Sequence, residues 1–342
     1  MKKLKVGVIG AGFIGWLHAR VFSESFGSEL VAVADSNPSL KEKVEQTFGC
    51  RFYQKYEDLL ENPEIDAVSI CLPDDNHVEP SLFSARCKKH ILLEKPMART
   101  VSDCFRIKEA CDKEGVRIMV AHILRFDPGY RRMYDLVSSG ELGEVLHISA
   151  ERKNSRTLAA RLKGQTSMLF YVGIHDIDAI QWISQKQISR VFAQRISRIN
   201  SQWNSDDCIY ILANLEKDAI ASIEFSWTFP EDFPAGLKSK LELYGSKTTA
   251  FLNRFNMGVE VYRGKSGTPS FELPDIIHWP EANNRILGDL KYEIEHFIDA
   301  ILNDKEFLMP LPDAISAVNV IETIMRSYTT NEPETIPPLK FS

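Results

Sequence analysis

The first fifteen residues constrain the fold of this chain more than any other stretch. A short β-branched run ends at Ile9, glycines follow at positions 10, 12 and 15, and a helix-like segment comes next. This order predicts a strand, a glycine turn and a helix start, which together present N–H groups to a pyrophosphate. The residues expected to bind the pyrophosphate are Gly10, Gly12, Phe13, Ile14 and Gly15.

A second apolar run supports this interpretation. The segment Leu30-Val31-Ala32-Val33-Ala34 ends on Asp35, twenty residues after Gly15. A carboxylate at this strand end can accept hydrogen bonds from ribose hydroxyls and would repel a 2′-phosphate. We therefore predict NAD, and not NADP, as the cofactor.

Strand and helix patterns alternate up to about residue 121. Further strands are expected at 66–72, 90–93 and 116–121, with helical segments between them. This alternation predicts a doubly wound parallel sheet, whose ligands bind outside the carboxyl ends of the strands. Those ends carry residues 72–77, 94–96 and 121–122, and His122 is a candidate cofactor contact.

The pattern changes after about residue 125. Alternating apolar and polar residues predict strands at 145–152, 191–199, 209–215, 220–227, 238–244 and 259–262. They indicate an α+β domain on a largely antiparallel sheet with one exposed face. Because 342 residues exceed one typical core, we expect a Rossmann domain at 1–123 and a substrate-binding and oligomerisation domain at 124–342.

Charge and cysteine content exclude several classes of protein. The net charge of −6 argues against a general nucleic-acid binder. No apolar run approaches the roughly 20 residues of a membrane span, and the N-terminus lacks a signal-peptide pattern. The six cysteines form no C-x-x-C pair, which predicts reduced thiols, no metal site and a cytoplasmic location.

Two further motifs carry a family resemblance. Glu94-Lys95-Pro96 ends the fourth predicted strand, and Gly173-Ile174-His175-Asp176-Ile177-Asp178 lies downstream. With the glycine turn and Asp35, they make the chain resemble the glucose–fructose oxidoreductase / inositol dehydrogenase / rhizopine-catabolism (Gfo/Idh/MocA) family nearly end to end. The resemblance implies NAD(P)-dependent oxidation or reduction of sugars, inositols, sugar acids or nucleotide sugars.

The same resemblance implies roles for individual residues. Lys95 would lie beside the nicotinamide and the reacting hydroxyl, with His175 of the second domain facing it. Glu94 would lie near the nicotinamide ribose. The cofactor's course from adenosine to ribose would be lined by Leu72, Pro73, Asn76 and His77. Similar proteins often have a cis bond at Lys95–Pro96, and we expect one here.

Tyr171 departs from the family pattern, which commonly has an aspartate four residues before the histidine. On a helix predicted over 168–183, Tyr171, His175 and Asp178 would share one stripe. A phenol is not an anionic partner at neutral pH, so Asp178 could orient the imidazole instead. We expect His175 as general base and Lys95 as electrostatic stabiliser, with the reverse assignment open.

A basic segment follows the first strand of the second sheet. Residues 152–163 hold five basic side chains and no acid. They indicate either a site for a carboxylate or phosphate, or a solvated loop or subunit contact. The candidate substrate contacts are Lys95, Arg125, Asn154, Arg156, Tyr171 and His175.

Three functions remain open from the sequence. The first is an NAD-dependent dehydrogenase acting on a secondary hydroxyl of a sugar, inositol, sugar acid or nucleotide sugar. The second is a glycoside hydrolase that uses bound NAD for transient oxidation, and the third is a non-enzymatic sugar sensor. The expected partners are a small carbohydrate or cyclitol and further copies of this chain, as a homodimer or homotetramer, with no nucleic acid and no membrane.

Overall fold

The computed structural model describes residues 2–234, 236–263 and 270–341. The chain forms two compact units. The first comprises Met1–Phe126 and Ile277–Val318, and the second comprises Asp127–Ile276 and Asn319–Ser342. Each unit is therefore built from two stretches of sequence, while the functional division at residues 123 and 124 stays a prediction.

The first unit contains a six-stranded parallel sheet of order β3-β2-β1-β4-β5-β6. The strands are β1 (Leu4–Ile9), β2 (Ser28–Ala34), β3 (Arg51–Tyr53), β4 (Ala67–Ile70), β5 (His90–Glu94) and β6 (Ile118–Ala121). The order reverses between β1 and β4, as in doubly wound nucleotide-binding sheets. The predicted parallel sheet is confirmed.

Helices connect these strands, and their packing on the sheet explains why the strands are apolar. They are α1 (Phe13–Glu24), α2 (Lys41–Phe48), α3 (Tyr56–Leu60), α4 (Val78–Arg86) and α5 (Val101–Glu114). Every residue of β4 is buried, as are Val6 and Val8 of β1. A parallel sheet is usually covered on both faces, which is why its strands are continuous apolar runs without alternation.

The second unit contains a seven-stranded mixed sheet of order β12-β11-β7-β10-β9-β8-β17. Its strands are β7 (Val145–Ser155), β8 (Ile188–Ile196), β9 (Cys208–Leu215), β10 (Ile220–Phe229), β11 (Leu237–Gly245), β12 (Thr249–Arg254) and β17 (Glu334–Thr335). Only the β7–β10 pair is parallel among those described. The largely antiparallel sheet is therefore confirmed, and a short turn after Gly245 joins β11 to β12.

Burial alternates along the strands of this sheet. On β9, Ile209 and Ile211 are buried, whereas Tyr210 and Leu212 are 56% and 63% exposed. Leu146 and Phe251 are exposed on other strands of the same sheet. Successive side chains of a strand point to opposite faces. One face is thus packed, and the other presents apolar side chains outward.

The remaining elements are short strands and helices. The strands are β13 (Val261–Arg263), β14 (Ser270–Glu272), β15 (Glu281–Ala282) and β16 (Arg285–Ile286), and the helices are α6 (Pro128–Ser138), α7 (Thr157–Leu162), α8 (Ile174–Ser184), α9 (Asp289–Leu302) and α10 (Leu311–Thr330). Helix α10 has residues in both units. Among the described residues, no helix combines the length and apolarity that crossing a bilayer requires.

The predicted helix over residues 168–183 is not uniform. A π-helical turn, Leu169–Gly173, comes first, and α8 begins at Ile174. The extra residue in a π turn rotates the following side chains away from α-helical spacing. Tyr171 lies in the π turn, so the prediction that it shares one α-helical stripe with His175 and Asp178 is corrected. His175 and Asp178 are three residues apart within α8 and keep neighbouring positions on that helix.

Candidate functional site

The glycine turn after β1 is closed by backbone packing. Gly10 has φ +91°, and a Cβ there would lie 2.6 Å from the Cys71 carbonyl oxygen. A Cβ on Gly15 would collide with the carbonyl oxygen of Gly10. Both positions therefore require glycine, because any side chain would displace backbone.

Gly12 has the opposite environment. Within the described part of the chain, no heavy atom other than those of Gly12 and its two chain neighbours lies within 4 Å of the position that its Cβ would take, and no side chain there caps the N-terminus of α1. The first turn of a helix carries N–H groups without intrahelical partners and a partial positive charge. Open space beside such a terminus fits the pyrophosphate of a dinucleotide. Phe13, exposed, and Ile14, half-buried, begin this helix.

Asp35 links the end of β2 to the glycine turn. One carboxylate oxygen accepts the Ala11 N–H at 2.7 Å, and the other accepts the Asn37 N–H at 2.9 Å. Each carboxylate oxygen can accept a further hydrogen bond, so Asp35 retains the capacity to bind ribose hydroxyls. The residues fit NAD, since pyrophosphate and ribose partners lie on adjacent strand ends.

His77 connects the loops that follow β4 and β5. Its Nδ1 lies 2.8 Å from the Pro96 carbonyl oxygen and its Nε2 lies 2.9 Å from the Leu72 carbonyl oxygen. Burial lowers the pKa of His77 despite these two acceptors. The imidazole thus supports the loops, while its own contact with the cofactor stays a prediction. Leu72 is half-buried, and Pro73 and Asn76 are exposed.

The Glu94–Lys95 loop is held by a residue that the sequence analysis missed. His18 of α1 is fully buried, with its Nε2 3.3 Å from Glu94 Oε1. Its Nδ1 lies 2.8 Å from Ser69 Oγ. The other oxygen of Glu94 accepts the backbone N–H of Lys95 at 3.2 Å. The Lys95–Pro96 peptide bond is cis, as expected.

The electrostatics of this pair favour an ion pair. Burial would lower the pKa of His18, but Cys71 and the Glu94 carboxylate raise it well above its usual value. Burial would raise the pKa of Glu94, but the hydrogen bond and charge of His18, helped by Lys95, lower it. A charged carboxylate therefore lies directly beside Lys95. A polar residue at position 18 among apolar neighbours was the available sequence signal.

Glu293 of α9 is the second missed residue. It is 1% exposed, and its two carboxyl oxygens have no hydrogen-bond partner among the described residues. Burial, followed by the charge of Glu94, raises its pKa well above the usual value, with His18 opposing and Asp289 adding to the rise. A carboxyl group in such surroundings holds its proton. No sequence pattern distinguishes it from an exposed helical glutamate.

His122 and Arg125 lie after β6. His122 is buried. The Arg125 guanidinium, 3% exposed, donates to the Leu308 carbonyl oxygen and to Asp313 Oδ2, each at 2.9 Å. The Arg125 guanidinium thus forms an ion pair with a carboxylate of its own unit.

In the second unit, His175 is the second residue of α8, and its neighbour Asp176 fixes that helix. Asp176 accepts two hydrogen bonds from the buried Arg152 of β7, at 2.6 and 3.0 Å. Arg152 also donates to the hydroxyl of Tyr130 on α6, at 3.1 Å. A bidentate pair of this kind sets orientation as well as charge. It anchors the start of α8, and hence His175, to the sheet.

Tyr171 contacts an arginine of the basic segment. Arg161 Nη2 donates to the Tyr171 hydroxyl at 2.7 Å. The phenol ring meets the buried indole of Trp227 edge-on, with centroids 6.1 Å apart. Tyr171 is therefore packed on one side and bound to a cation on the other.

Three other polar side chains of the segment 152–163 differ in their surroundings. Lys153 contacts Glu151 at 2.7 Å and Glu224 at 2.8 Å, so sheet carboxylates neutralise it. Asn154 donates to the Gly236 carbonyl oxygen at 2.8 Å. Arg156 is half-buried, and its Nε has no hydrogen-bond partner among the described residues.

Comparison with known proteins identifies relatives of this architecture. The chain is 25% identical over 261 residues to 2,7-anhydro-N-acetylneuraminate hydratase of Escherichia coli, covering 73% of this chain and 70% of that protein. It is 25% identical over 271 residues to myo-inositol 2-dehydrogenase of Thermotoga maritima, covering 77% and 79%. The solved structure of scyllo-inositol dehydrogenase from Lactobacillus casei, with bound NAD(H) and scyllo-inositol, aligns with a TM-score of 0.83 at 19% identity, covering 98% and 99%.

Two models of one family match the chain. Residues 4–122 match the model of an oxidoreductase family with an NAD-binding Rossmann fold, and residues 130–251 match the family's C-terminal domain. Together the matches span more than two thirds of the 342 residues. They agree with the glycine turn, Asp35 and the loop at Lys95 described above. The chain therefore belongs to the Gfo/Idh/MocA family of NAD-binding oxidoreductases.

Proposed function

We propose that this protein is an NAD-dependent dehydrogenase that oxidises a secondary hydroxyl of a sugar, a cyclitol or a derivative. The observation that carries the proposal is the loop after β5, where the pair formed by buried His18 and half-buried Glu94 holds Lys95 at a carboxyl-end position of the sheet. Ligands of such sheets bind at these ends. This position supports the proposal that Lys95 contacts the substrate.

The residues of the chain would handle the proton of this reaction. NAD, when bound, supplies the hydride acceptor. Oxidising an alcohol also releases a proton from oxygen, and His175 is proposed to accept it, because imidazole titrates near neutral pH. Lys95 is proposed to stabilise the developing negative charge on that oxygen. Asp178, one turn after His175 and buried, is proposed as a positioning residue. Arg125 is left out, since Leu308 and Asp313 bind its guanidinium.

A second function has support among the relatives. The Thermotoga maritima relative is a dehydrogenase of a cyclitol, which favours the first proposal. The Escherichia coli relative is a hydratase, and hydration involves no net oxidation. This favours, as the second candidate, a reaction with transient oxidation by bound NAD, of which glycoside hydrolysis is one form.

The proposal includes an assembly and a location. Tyr210, Leu212 and Phe251 are exposed on the second sheet, and exposed apolar side chains on one face of a sheet can mark an interface. We propose that this face joins copies of this chain into a homodimer or homotetramer. The cytoplasmic location stays a prediction from composition.

An NADH-formation screen over inositols, aldoses, sugar acids and nucleotide sugars tests the proposal. Lys95→Met should abolish turnover while NAD binding stays nearly intact, because the hydride acceptor remains and the charge at the reacting oxygen is lost. Lys113→Met removes the same charge from an exposed site on α5 and is the matched control. Normal turnover by Lys95→Met would reject the assignment, and product formation without net NADH would favour transient oxidation.

A further inference from the structure

Three basic side chains of residues 152–163 have no carboxylate counter-ion among the described residues. Arg152 and Lys153 are neutralised by carboxylates, as described above. Within the part of the chain that the structure describes, Arg156, Arg161 and Lys163 form no ion pair with a carboxylate. Carboxylates of α8 and of the sheet thus account for the first two charges of this segment and leave the α7 region with a positive excess.

Arg161 is held in place and does not merely extend into solvent. Its guanidinium donates to the Tyr171 hydroxyl at 2.7 Å, and Trp227, which is fully buried, supports the phenol ring. A phenol that accepts a hydrogen bond from a cation becomes a stronger donor itself. The guanidinium has several further N–H donors in a fixed fork. The pair is therefore a preorganised donor surface.

Two polar atoms lie where β7 leads into α7, the helix that carries Arg161. Arg156 Nε and Asn154 Oδ1 are buried and have no hydrogen-bond partner among the residues described. The Arg156 backbone N–H donates to the Phe229 carbonyl oxygen at 3.0 Å, which fixes the residue before α7 begins. A buried polar group without a partner costs on the order of 1–3 kcal/mol. A polar ligand would relieve that cost.

We propose that the Arg161–Tyr171 pair determines substrate specificity, and that the substrate is a carbohydrate or cyclitol carrying an oxyanion, either a carboxylate or a phosphate. This inference rests on the proposed function, since Tyr171 lies four residues before His175 on the adjoining π turn. A guanidinium fork matches an oxyanion in two parallel hydrogen bonds. A neutral polyol offers no charge to offset the desolvation of Arg161.

The test uses substrates matched in skeleton: a neutral sugar or cyclitol, its carboxylate form and its phosphate monoester. For the wild-type protein, kcat/KM with NAD should be highest for one anionic member, which also distinguishes carboxylate from phosphate. Arg161→Gln should lower that value by about 10- to 100-fold, the loss expected for a charged hydrogen bond. The loss of kcat/KM that Arg161→Gln causes on the neutral substrate should be at least tenfold smaller. Arg161→Lys should recover only part of the rate, because an ammonium lacks the fork.

Lys163→Gln is the control for general electrostatic attraction. It removes one charge from an exposed residue of the same segment, so its kcat/KM values should match the wild type. Equal losses of kcat/KM in Arg161→Gln and Lys163→Gln would overturn the inference while the dehydrogenase proposal stood. So would equal losses of kcat/KM on the neutral and the anionic substrates in Arg161→Gln.

Binding provides a readout that does not depend on turnover. Tryptophan fluorescence of the protein with NADH present can follow titration with each member of the series. Tighter binding of the anionic member, lost in Arg161→Gln, would support the inference even if the screen found no oxidation and the proposed function failed. Indistinguishable binding of neutral and anionic members would overturn it.

Discussion

Among single residues, the groups that position Lys95 are the buried and half-buried charges around the loop after β5. His18 and Glu94 form an ion pair that binds the backbone of Lys95, and Glu293 adds a buried carboxyl nearby in the first unit. Two ionised carboxylates in such surroundings would repel each other, so burial and this repulsion favour one charged and one protonated group. The proton belongs on Glu293, because Glu94 has the cationic partner.

Glu293→Gln tests this distribution of charge. Burial raises the pKa of Glu293 in the folded protein. The contribution of Glu293 to the free energy of unfolding is therefore complete below its pKa in the unfolded chain, about 4.3, and is lost as the pH rises toward its pKa in the folded protein. A glutamine has no proton to lose. As the pH rises from 5 to 8, the melting temperature of Glu293→Gln should therefore rise relative to that of the wild type.

The measurement is thermal unfolding across that pH range, with Glu295→Gln of the same helix as the control. Glu295 is half-buried, and its carboxylate lies 3.8 Å from the Lys291 ammonium. A difference between Glu293→Gln and the wild type that stays constant with pH would show that Glu293 titrates normally.

At the scale of elements, the glycine turn and α1 form a unit whose three glycines serve two purposes. Gly10 and Gly15 permit close backbone packing, whereas Gly12 leaves open space at the helix N-terminus. The distinction was not available from the G-x-G-x-x-G pattern, because the pattern does not show which neighbour each glycine faces.

Gly12→Ala and Gly15→Ala should therefore behave differently. Gly12→Ala should leave the melting temperature unchanged or slightly higher, because its methyl group enters open space and alanine restricts the unfolded chain. It should weaken NADH binding by about tenfold or more, since the methyl group occupies the region next to the helix N–H groups. Gly15→Ala should lower the melting temperature itself. Equal melting losses for the two variants, measured beside NADH affinity by calorimetry, would contradict the assignment.

Some elements could be predicted from the sequence and others could not. The buried strands β1, β2, β4, β5 and β6 are marked by apolar runs because helices cover the sheet. Strand β3 has three residues, none of them fully buried, so it leaves no such signal. The π turn before His175 was also missed, since one extra residue per turn depends on tertiary contacts and α-helical spacing fits the same letters.

At the scale of the whole molecule, patterning predicted a parallel sheet followed by a largely antiparallel one, and both are present. The sequence did not predict that residues 277–318 belong to the first unit. Apolar periodicity marks α9 as a helix but does not specify its partner. As a result Glu293, which lies on α9, could not be assigned to the surroundings of Glu94.

The open face of the second sheet leads to a prediction about assembly. Leu212→Glu places a charge in the centre of β9 on the exposed apolar face, so it should lower the molar mass found by light scattering. Lys217→Glu, in the exposed turn after that strand, introduces the same side chain away from the apolar residues and should leave the mass unchanged. An unchanged mass for Leu212→Glu would place the interface elsewhere, or show a monomer.

Lys95 and His175 are proposed to serve one reacting hydroxyl beside the nicotinamide. A crystal structure of the protein with NADH and an oxidisable polyol or sugar acid tests this proposal. We expect Lys95 Nζ and a ring nitrogen of His175 both to lie within about 3 Å of the same substrate hydroxyl. Either group directed away from that hydroxyl, with the cofactor bound along Gly10–Gly15 and Asp35, would contradict it.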